Sequence, residues 1–417
     1  GLANLRDNIT VTYQAQLDQT AQGLISAFAE TNPSPPSNVP AGLFTNGGST
    51  TVPAPGVNAG LAAAITVNEP SSWHLGANAA DEVMIAANEF IPSLGPLQSL
   101  RQSQGLKVAI VNVEDIYDEF NFGNKSPQAI RDFLARATKA WATPPRFVLL
   151  VGEGTYDPRD YLGLGQDYVP TKLVDSATLE TASDNWFADL NGTGVPTMAV
   201  GRLPVISAAE ANSVVAKIVG YETSGATFQN ALFVADAAIE TNFAAQNKAI
   251  LALVPPSIKV AQANVDDLGE TQARTAILDA INAGTDLVEY SGHGTIDYWR
   301  GNLLTSADAP TLTNATRLSV FAIMNCLNGV FQEPLLEGLG EALLKAPNGG
   351  AVAVWASSGT TLPSAQQGLV TSFISTVTSP GNTRTLGEAA MAATAATSDL
   401  DVRRTWIFLG DPATRLR

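Results

Sequence analysis

Two stretches decide how the chain reads: Asp286-Leu-Val-Glu-Tyr-Ser-Gly-His293-Gly294 and, further on, Leu318-Ser-Val-Phe-Ala-Ile-Met-Asn-Cys326-Leu-Asn-Gly329. Each begins as an apolar, β-branched or aromatic run of the kind that forms a buried strand, and each breaks off at a reactive side chain. The first stops in a Gly-His-Gly turn, the second at the only cysteine among 417 residues. Thiol and imidazole are the partners that a nucleophilic cysteine site needs. The thiolate attacks a carbonyl carbon, and the imidazole holds the ion pair or carries the proton to the leaving group. Free cysteine is also among the residue types most often simply buried. Packing is a poor account, however, of a cysteine where a strand leaves the core or of a histidine between two glycines.

Outward from these stretches the chain alternates strand and helix. Strands are expected at 82–87, 107–113, 146–152, 198–204, 231–236, 258–263 and 351–355. Helices are expected at 93–104, 127–141, 208–221, 243–253, 270–283, 335–345, 365–377 and 386–397. Ser126-Pro127 supplies an N-cap and a first-turn proline, and Ala129, Ile130, Phe133, Leu134 and Ala137 then recur on one face. Arg146-Phe-Val-Leu-Leu-Val-Gly152 is apolar on both faces, as central strands of parallel sheets are. Such alternation implies parallel sheets with right-handed crossovers, and ligands of open sheets bind beyond the carboxyl ends of the strands. His293, Cys326 and Asp236 all sit at such ends.

Residues 1–76 differ. Asn8-Ile-Thr-Val-Thr-Tyr-Gln-Ala15 alternates like a strand, but Asn32-Pro-Ser-Pro-Pro-Ser-Asn-Val-Pro40 is turn and loop composition, so a small β-rich module or extended arm is expected. The length suits two or three domains. With 45% hydrophobic residues, 35 Gly and 24 Pro the composition is globular. A net charge of −16 argues against nucleic acid and anionic membrane as partners. No apolar run approaches the roughly 20 residues of a membrane span, and no signal-peptide pattern opens the chain, although a first residue Gly fits a removed leader. One cysteine excludes an internal disulfide framework.

A wider set of motifs accompanies the two stretches: Val113-Glu-Asp-Ile-Tyr-Asp-Glu-Phe120, Leu149-Leu-Val-Gly-Glu-Gly-Thr-Tyr-Asp157, Val200-Gly-Arg-Leu-Pro-Val205, Gly349-Gly-Ala-Val-Ala353 and Leu409-Gly-Asp-Pro412. Together with Tyr290-Ser-Gly-His-Gly294 and Asn325-Cys-Leu-Asn-Gly329 they resemble the gingipain-type cysteine peptidases of bacteria, of the caspase-like superfamily. The resemblance covers about residues 80–417, and the spacing of 33 residues between His293 and Cys326 is also that family's. The Gln-Ala-Cys signature of true caspases is absent.

The resemblance implies an α/β fold of two caspase-like parallel-sheet sandwich halves behind the small β-rich segment: 1–76, a non-catalytic half at 77–225 and a catalytic half at 226–417. It implies a secreted or cell-surface bacterial endopeptidase acting on protein or peptide substrates through a thioester acyl-enzyme. Cys326 is then the nucleophile, His293 the proton carrier and Asp236 the third member, with main-chain N–H groups near Gly294 and Cys326 as the oxyanion hole. The pocket for the residue before the scissile bond is expected from the loops after Asp236 and after the Gly-Ala-Val-Ala strand, with Glu240, Trp355, Ser357 and Ser358 as substrate-binding residues. Glu240 there would select a basic side chain. A transpeptidase of the same fold and an inert binding or surface module are the alternatives, and the intact Cys326 and His293 speak against the latter.

The chemistry requires no cofactor. Asp184, Asp189 and Asn191 precede Gly192 with the alternation of oxygen side chains by which a loop wraps a structural Ca²⁺, a reading that competes evenly with a solvated turn. Arg202 and Arg159 read as internal polar struts.

Overall fold

Strands that are apolar on both sides call for cover on both faces of the sheet. The structure, a computed structural model, describes residues 71–416 and Gln19; the β-rich segment expected over 1–76 falls, up to residue 70, outside the described residues. The first block comprises β1 (Glu82–Ala86), α1 (Gly95–Ser103), β2 (Val108–Asn112), α2 (Val113–Asn121), α3 (Pro127–Ala140), β3 (Phe147–Val151), a hairpin of β4 (Leu173–Asp175) and β5 (Glu180–Ala182), α4 (Asn185–Ala188), β6 (Ala199–Leu203) and α5 (Ala208–Thr223). The second comprises β7 (Asn230–Ala235), α6 (Phe243–Leu251), β8 (Lys259–Asn264), α7 (Val265–Asn282), β9 (Leu287–Ser291), β10 (Ser319–Met324), α8 (Leu339–Lys345), β11 (Ala351–Ser357), α9 (Pro363–Val377), α10 (Leu386–Thr394), α11 (Leu400–Thr405) and β12 (Trp406–Leu409).

Alternation along β1 assigns the two faces. Val83 and Ile85 join Ile116, Phe133 and Leu134 of α2 and α3 in one core, whereas Met84 and Ala86 join Phe90, Leu97 and Val214 in the other. The second core continues under the whole second block. Local signals act where the sequence puts them. Ser126 caps α3 by accepting the Gln128 N–H, and Thr385 and Glu388 form a reciprocal capping box on α10.

The strands form one ten-stranded sheet in the order β2-β1-β3-β6-β12-β11-β10-β9-β7-β8, with β4 and β5 apart as a two-stranded pair. All neighbours in the large sheet are parallel except β11 and β12. Two parallel blocks are thus joined edge to edge through β12, which meets β6 at Leu409 and Arg202. The joint is tight: a Cβ on Gly201 would lie 2.3 Å from the Gly410 carbonyl oxygen. Because β7, β9 and β10 are parallel neighbours or near neighbours, the loops that leave their carboxyl ends collect on one edge of the sheet.

Several elements differ from the sequence expectation. Helix α2 follows β2 directly, where the sequence was read as strand to Val113; Asn112 caps it, and Val113, Ile116 and Tyr117 bury its inner face. Helix α7 starts at Val265 and breaks at Gly269 (φ 73°) before resuming along the expected apolar face. The helix expected from 335 starts at Leu339, and Leu335 and Leu336 are exposed. Strand β12 has only four residues and runs against β11.

Candidate active site

Cys326 and His293 emerge side by side. Strands β9 and β10 are in register to Ser291 opposite Met324, and each candidate lies two residues past that pair. Neighbouring strands stand about 4.8 Å apart, so the two backbones leave the sheet as neighbours. Both side chains are half-buried.

The His293 main chain is held at both polar atoms. Its N–H donates to Asp236 Oδ2 at 3.0 Å, and its carbonyl accepts the Tyr290 hydroxyl at 2.7 Å and the Arg300 N–H at 2.9 Å. Tyr290 is in turn stacked on Trp299, ring centroids 4.0 Å apart. The imidazole rests edge-on against Phe243 at the start of α6, at 5.3 Å between centroids. Glycine is required on both sides of the histidine by close approach. A Cβ on Gly292 would come within 2.3 Å of the Tyr290 hydroxyl oxygen, and one on Gly294 within 2.1 Å of Asn325 Nδ2.

Cys326 sits at a sharp turn. Leu327, next in the chain, has φ 69°, a left-handed conformation that costs a branched side chain of this kind on the order of 1 kcal/mol or more. Side-chain amides fix the turn: Asn325 Nδ2 donates to Asn328 Oδ1 at 2.5 Å, and Asn328 Nδ2 donates to the Thr295 carbonyl at 2.6 Å. These bonds tie the loop after Cys326 to the loop after His293. The thiol is in contact with the main chain of Thr361, whose N–H lies 3.5 Å and carbonyl oxygen 3.6 Å from Sγ. Burial pushes the thiol pKa up, and the Thr361 N–H partly offsets that. Among the described residues the main-chain N–H groups of Gly294 and Cys326 find no acceptor.

Asp236 is buried at the end of β7, but its carboxylate does not receive the imidazole N–H. Oδ1 accepts from Arg300 Nε and Nη2 at 3.1 and 2.8 Å and from the Ala237 N–H, while Oδ2 accepts the His293 N–H. It reaches the histidine through the backbone. Sequence reasoning missed Arg300, Asn325 and Asn328. The two asparagines bracket the cysteine within the quoted stretch and carried a signal; Arg300, seven residues past the histidine, carried none.

The expected substrate-binding residues are not gathered at an open pocket. Trp355 is buried, stacked on Phe373 at 4.5 Å and edge-on to Trp406. The hydroxyls of Ser357 and Ser358 are fully buried and engaged, the first with Gly359 and Thr405, the second with the Ala182 and Thr405 carbonyls. Glu240 is exposed on the loop after Asp236. All three side chains are buried, and both hydroxyls are taken up by bonds within the protein.

Two of the three candidate calcium ligands already hold partners within the protein. The Asp184 carboxylate is paired in two-pronged fashion with the buried Arg202 (2.7 and 2.9 Å) and accepts the Thr171 hydroxyl. Asp189 accepts the Thr193 and Gly194 N–H groups, and Asn191 is exposed. Among the described residues no three acidic, histidine or cysteine side chains gather where they could hold an ion. Arg202 is the internal strut expected of it, also donating to the Gly152 and Val169 carbonyls, whereas Arg159 is exposed.

The sequence model of peptidase family C25 matches residues 76–417. Among solved structures, that of the Arg-specific cysteine proteinase gingipain R (RgpB) superposes with a TM-score of 0.69 at 21% identity, covering 84% of this chain and 80% of that one. The complex of the Porphyromonas gingivalis RgpB pro- and mature domains gives 0.67 at 19%, covering 81% and 79%. A structure described as a protease gives 0.67 at 16%, covering 80% and 78%. At these identities the likeness establishes the gingipain-type, caspase-like fold. No curated protein matches the chain.

Proposed function

Since the chain belongs to peptidase family C25 and is a cysteine peptidase, we propose that it is an endopeptidase whose nucleophile is Cys326 and whose proton carrier is His293. The observation that carries this reading is their emergence from adjacent parallel strands, each two residues beyond the same register pair. The Cys326 sulfur attacks the scissile carbonyl carbon, giving its proton to the imidazole. The Gly294 and Cys326 N–H groups, free of acceptors among the described residues, are assigned to the oxyanion. When the C–N bond breaks, His293 returns the proton to the amine and a thioester remains. Water, giving a proton to His293, then attacks the thioester and releases the acid and the thiol. Asp236 is a positioning residue in this scheme, since it holds the His293 backbone and not the ring.

Burial pushes the Cys326 thiol up, which disfavours the free thiolate and suits an imidazole that takes the proton. Cys326→Ala is expected to abolish hydrolysis of a denatured protein substrate while circular dichroism and the melting temperature stay at wild type. Turnover surviving in that variant would remove Cys326 from the chemistry. Secretion or surface exposure on a bacterium is inferred from the family likeness. Immunodetection confined to the cytosolic fraction of the producing cell would count against it.

A further inference from the structure

A cleft of about 480 Å³ opens beside the candidate dyad, walled by Leu173 and Leu179 of the β4–β5 hairpin, by Ile296 past Gly294, and by Leu327 and Val330 past Cys326. Its position is fixed by chain connectivity, since Leu327 is bonded to Cys326 itself. The hairpin wall is anchored. Gln332 Nε2 donates to Thr181 Oγ1 at 3.0 Å, and Thr181 Oγ1 donates to the Ser358 carbonyl at 2.7 Å. At its tip Thr178 hydrogen-bonds Thr360. The cleft is therefore largely preformed, as small-molecule and side-chain pockets are.

We propose that this cleft takes an uncharged apolar side chain of the peptide substrate, adjoining the bond that Cys326 attacks; the inference rests on Cys326 as nucleophile. Three observations favour an apolar occupant. Five aliphatic side chains form the walls. Gln332 is engaged at both amide atoms, its Oε1 accepting the Phe331 N–H, and Glu333 Oε1 accepts from the Tyr156 hydroxyl and the Leu335 N–H. None of the lining residues carries a buried polar atom in want of a partner. An anionic head there loses hydration and meets the Glu180 and Glu333 carboxylates, while an apolar one gains by burial against the five aliphatic walls. Glu180, exposed at the rim, disfavours an acidic residue on the same substrate.

The test uses the full chain and alanine–serine host peptides, each carrying one guest residue: Leu, Phe, Lys or Asp. Cleavage by the wild type is read by mass spectrometry, and binding to Cys326→Ala by calorimetry. Leu and Phe guests are expected to be cut next to the guest with kcat/KM about tenfold or more above Lys and Asp, the scale on which apolar pockets discriminate. The same order is expected in binding to Cys326→Ala. Leu179→Glu should collapse the Leu-over-Lys ratio, and Leu179→Met should keep it. A Lys preference, no preference, or an apolar preference untouched by Leu179→Glu would overturn the assignment of the cleft. The nucleophile fails differently: apolar guests would still bind Cys326→Ala preferentially, but wild type would not cut them, or the variant would cut them as well.

Discussion

Asp236 acts on the His293 backbone and not on the imidazole, and this shapes what its removal does. Its carboxylate is buried, receives two N–H groups of Arg300, and fixes the His293 N–H. Asp236→Asn replaces one acceptor oxygen by a donor that faces either Arg300 or the His293 N–H, so one of those bonds is lost. Turnover is expected to fall by roughly 100-fold through misplacement of the ring, with KM little changed. Arg300→Lys should recover part of what Arg300→Ala loses, since a charge is kept without the fork. Steady-state kinetics of the three variants checks this; equal damage to kcat and KM, or no damage, would show that Asp236 serves the fold only.

Glu289, on β9 below the histidine, is wholly buried, and burial raises its pKa from 4.5 to about 8, against the Ser291 hydroxyl that donates to it. Below the unfolded value both states hold the proton. Between that value and about 8 only the folded state does, so this group makes stability fall as pH rises through the window, by roughly 1.4 kcal/mol for each pH unit of separation at most. Glu289→Gln should flatten that part of a curve of unfolding free energy against pH. An unchanged slope would assign it to other groups.

At the scale of elements, the Gly-His-Gly turn and the cysteine turn act as one unit joined by Asn325, Asn328 and Thr295. Gly294→Ala drives a methyl into the Asn325 amide and should cost about 1–3 kcal/mol by overpacking, together with most of the activity. Urea unfolding of the variant beside wild type measures the first part. These turns were legible because their glycines, asparagines and reactive side chains are local in sequence. The same holds for α3 and α10, whose caps and apolar periodicity agree, and for β3 and β10, whose runs are long and β-branched. Legibility failed where partners distant in sequence decide. Four residues of β12 are too few to announce a strand, and Trp406 reads no differently in a helix. Val113 suits a strand end until Asn112 caps it into α2. Trp355, Ser357 and Ser358 lie in the expected segment, but the packing of α9 and the Thr405 backbone, invisible locally, turns them inward.

Across the whole molecule, one tie between the first block and the carboxyl-terminal segment is ionic. Arg101 of α1 is fully buried and donates to Asp411 through Nε and Nη2 at 2.9 and 2.6 Å and to Thr414, with Glu222 also paired to it. Asp411→Ala takes the two-pronged partner from a buried guanidinium, leaving Glu222, and should lower stability by up to about 3–5 kcal/mol. Replacing Arg101 by Met, Asp411 by Leu and Glu222 by Gln together should cost less than Asp411→Ala alone, because the cation and both carboxylates bonded to it leave together. Chemical denaturation of the two proteins decides; a greater loss in the triple variant would mean that the cluster contributes beyond its own neutralisation.

The placement of β12 sets an order of events during synthesis. Its partner β6 ends at Leu203, so the strand that joins the two blocks leaves the ribosome some 200 residues later. Until residues 332, 358 and 360 have been made, the β4–β5 hairpin, carried by the first block, lacks the partners that pin it. The cleft is therefore expected to take shape only after the thiol has been made, when the turns that follow β10 and β11 reach the hairpin.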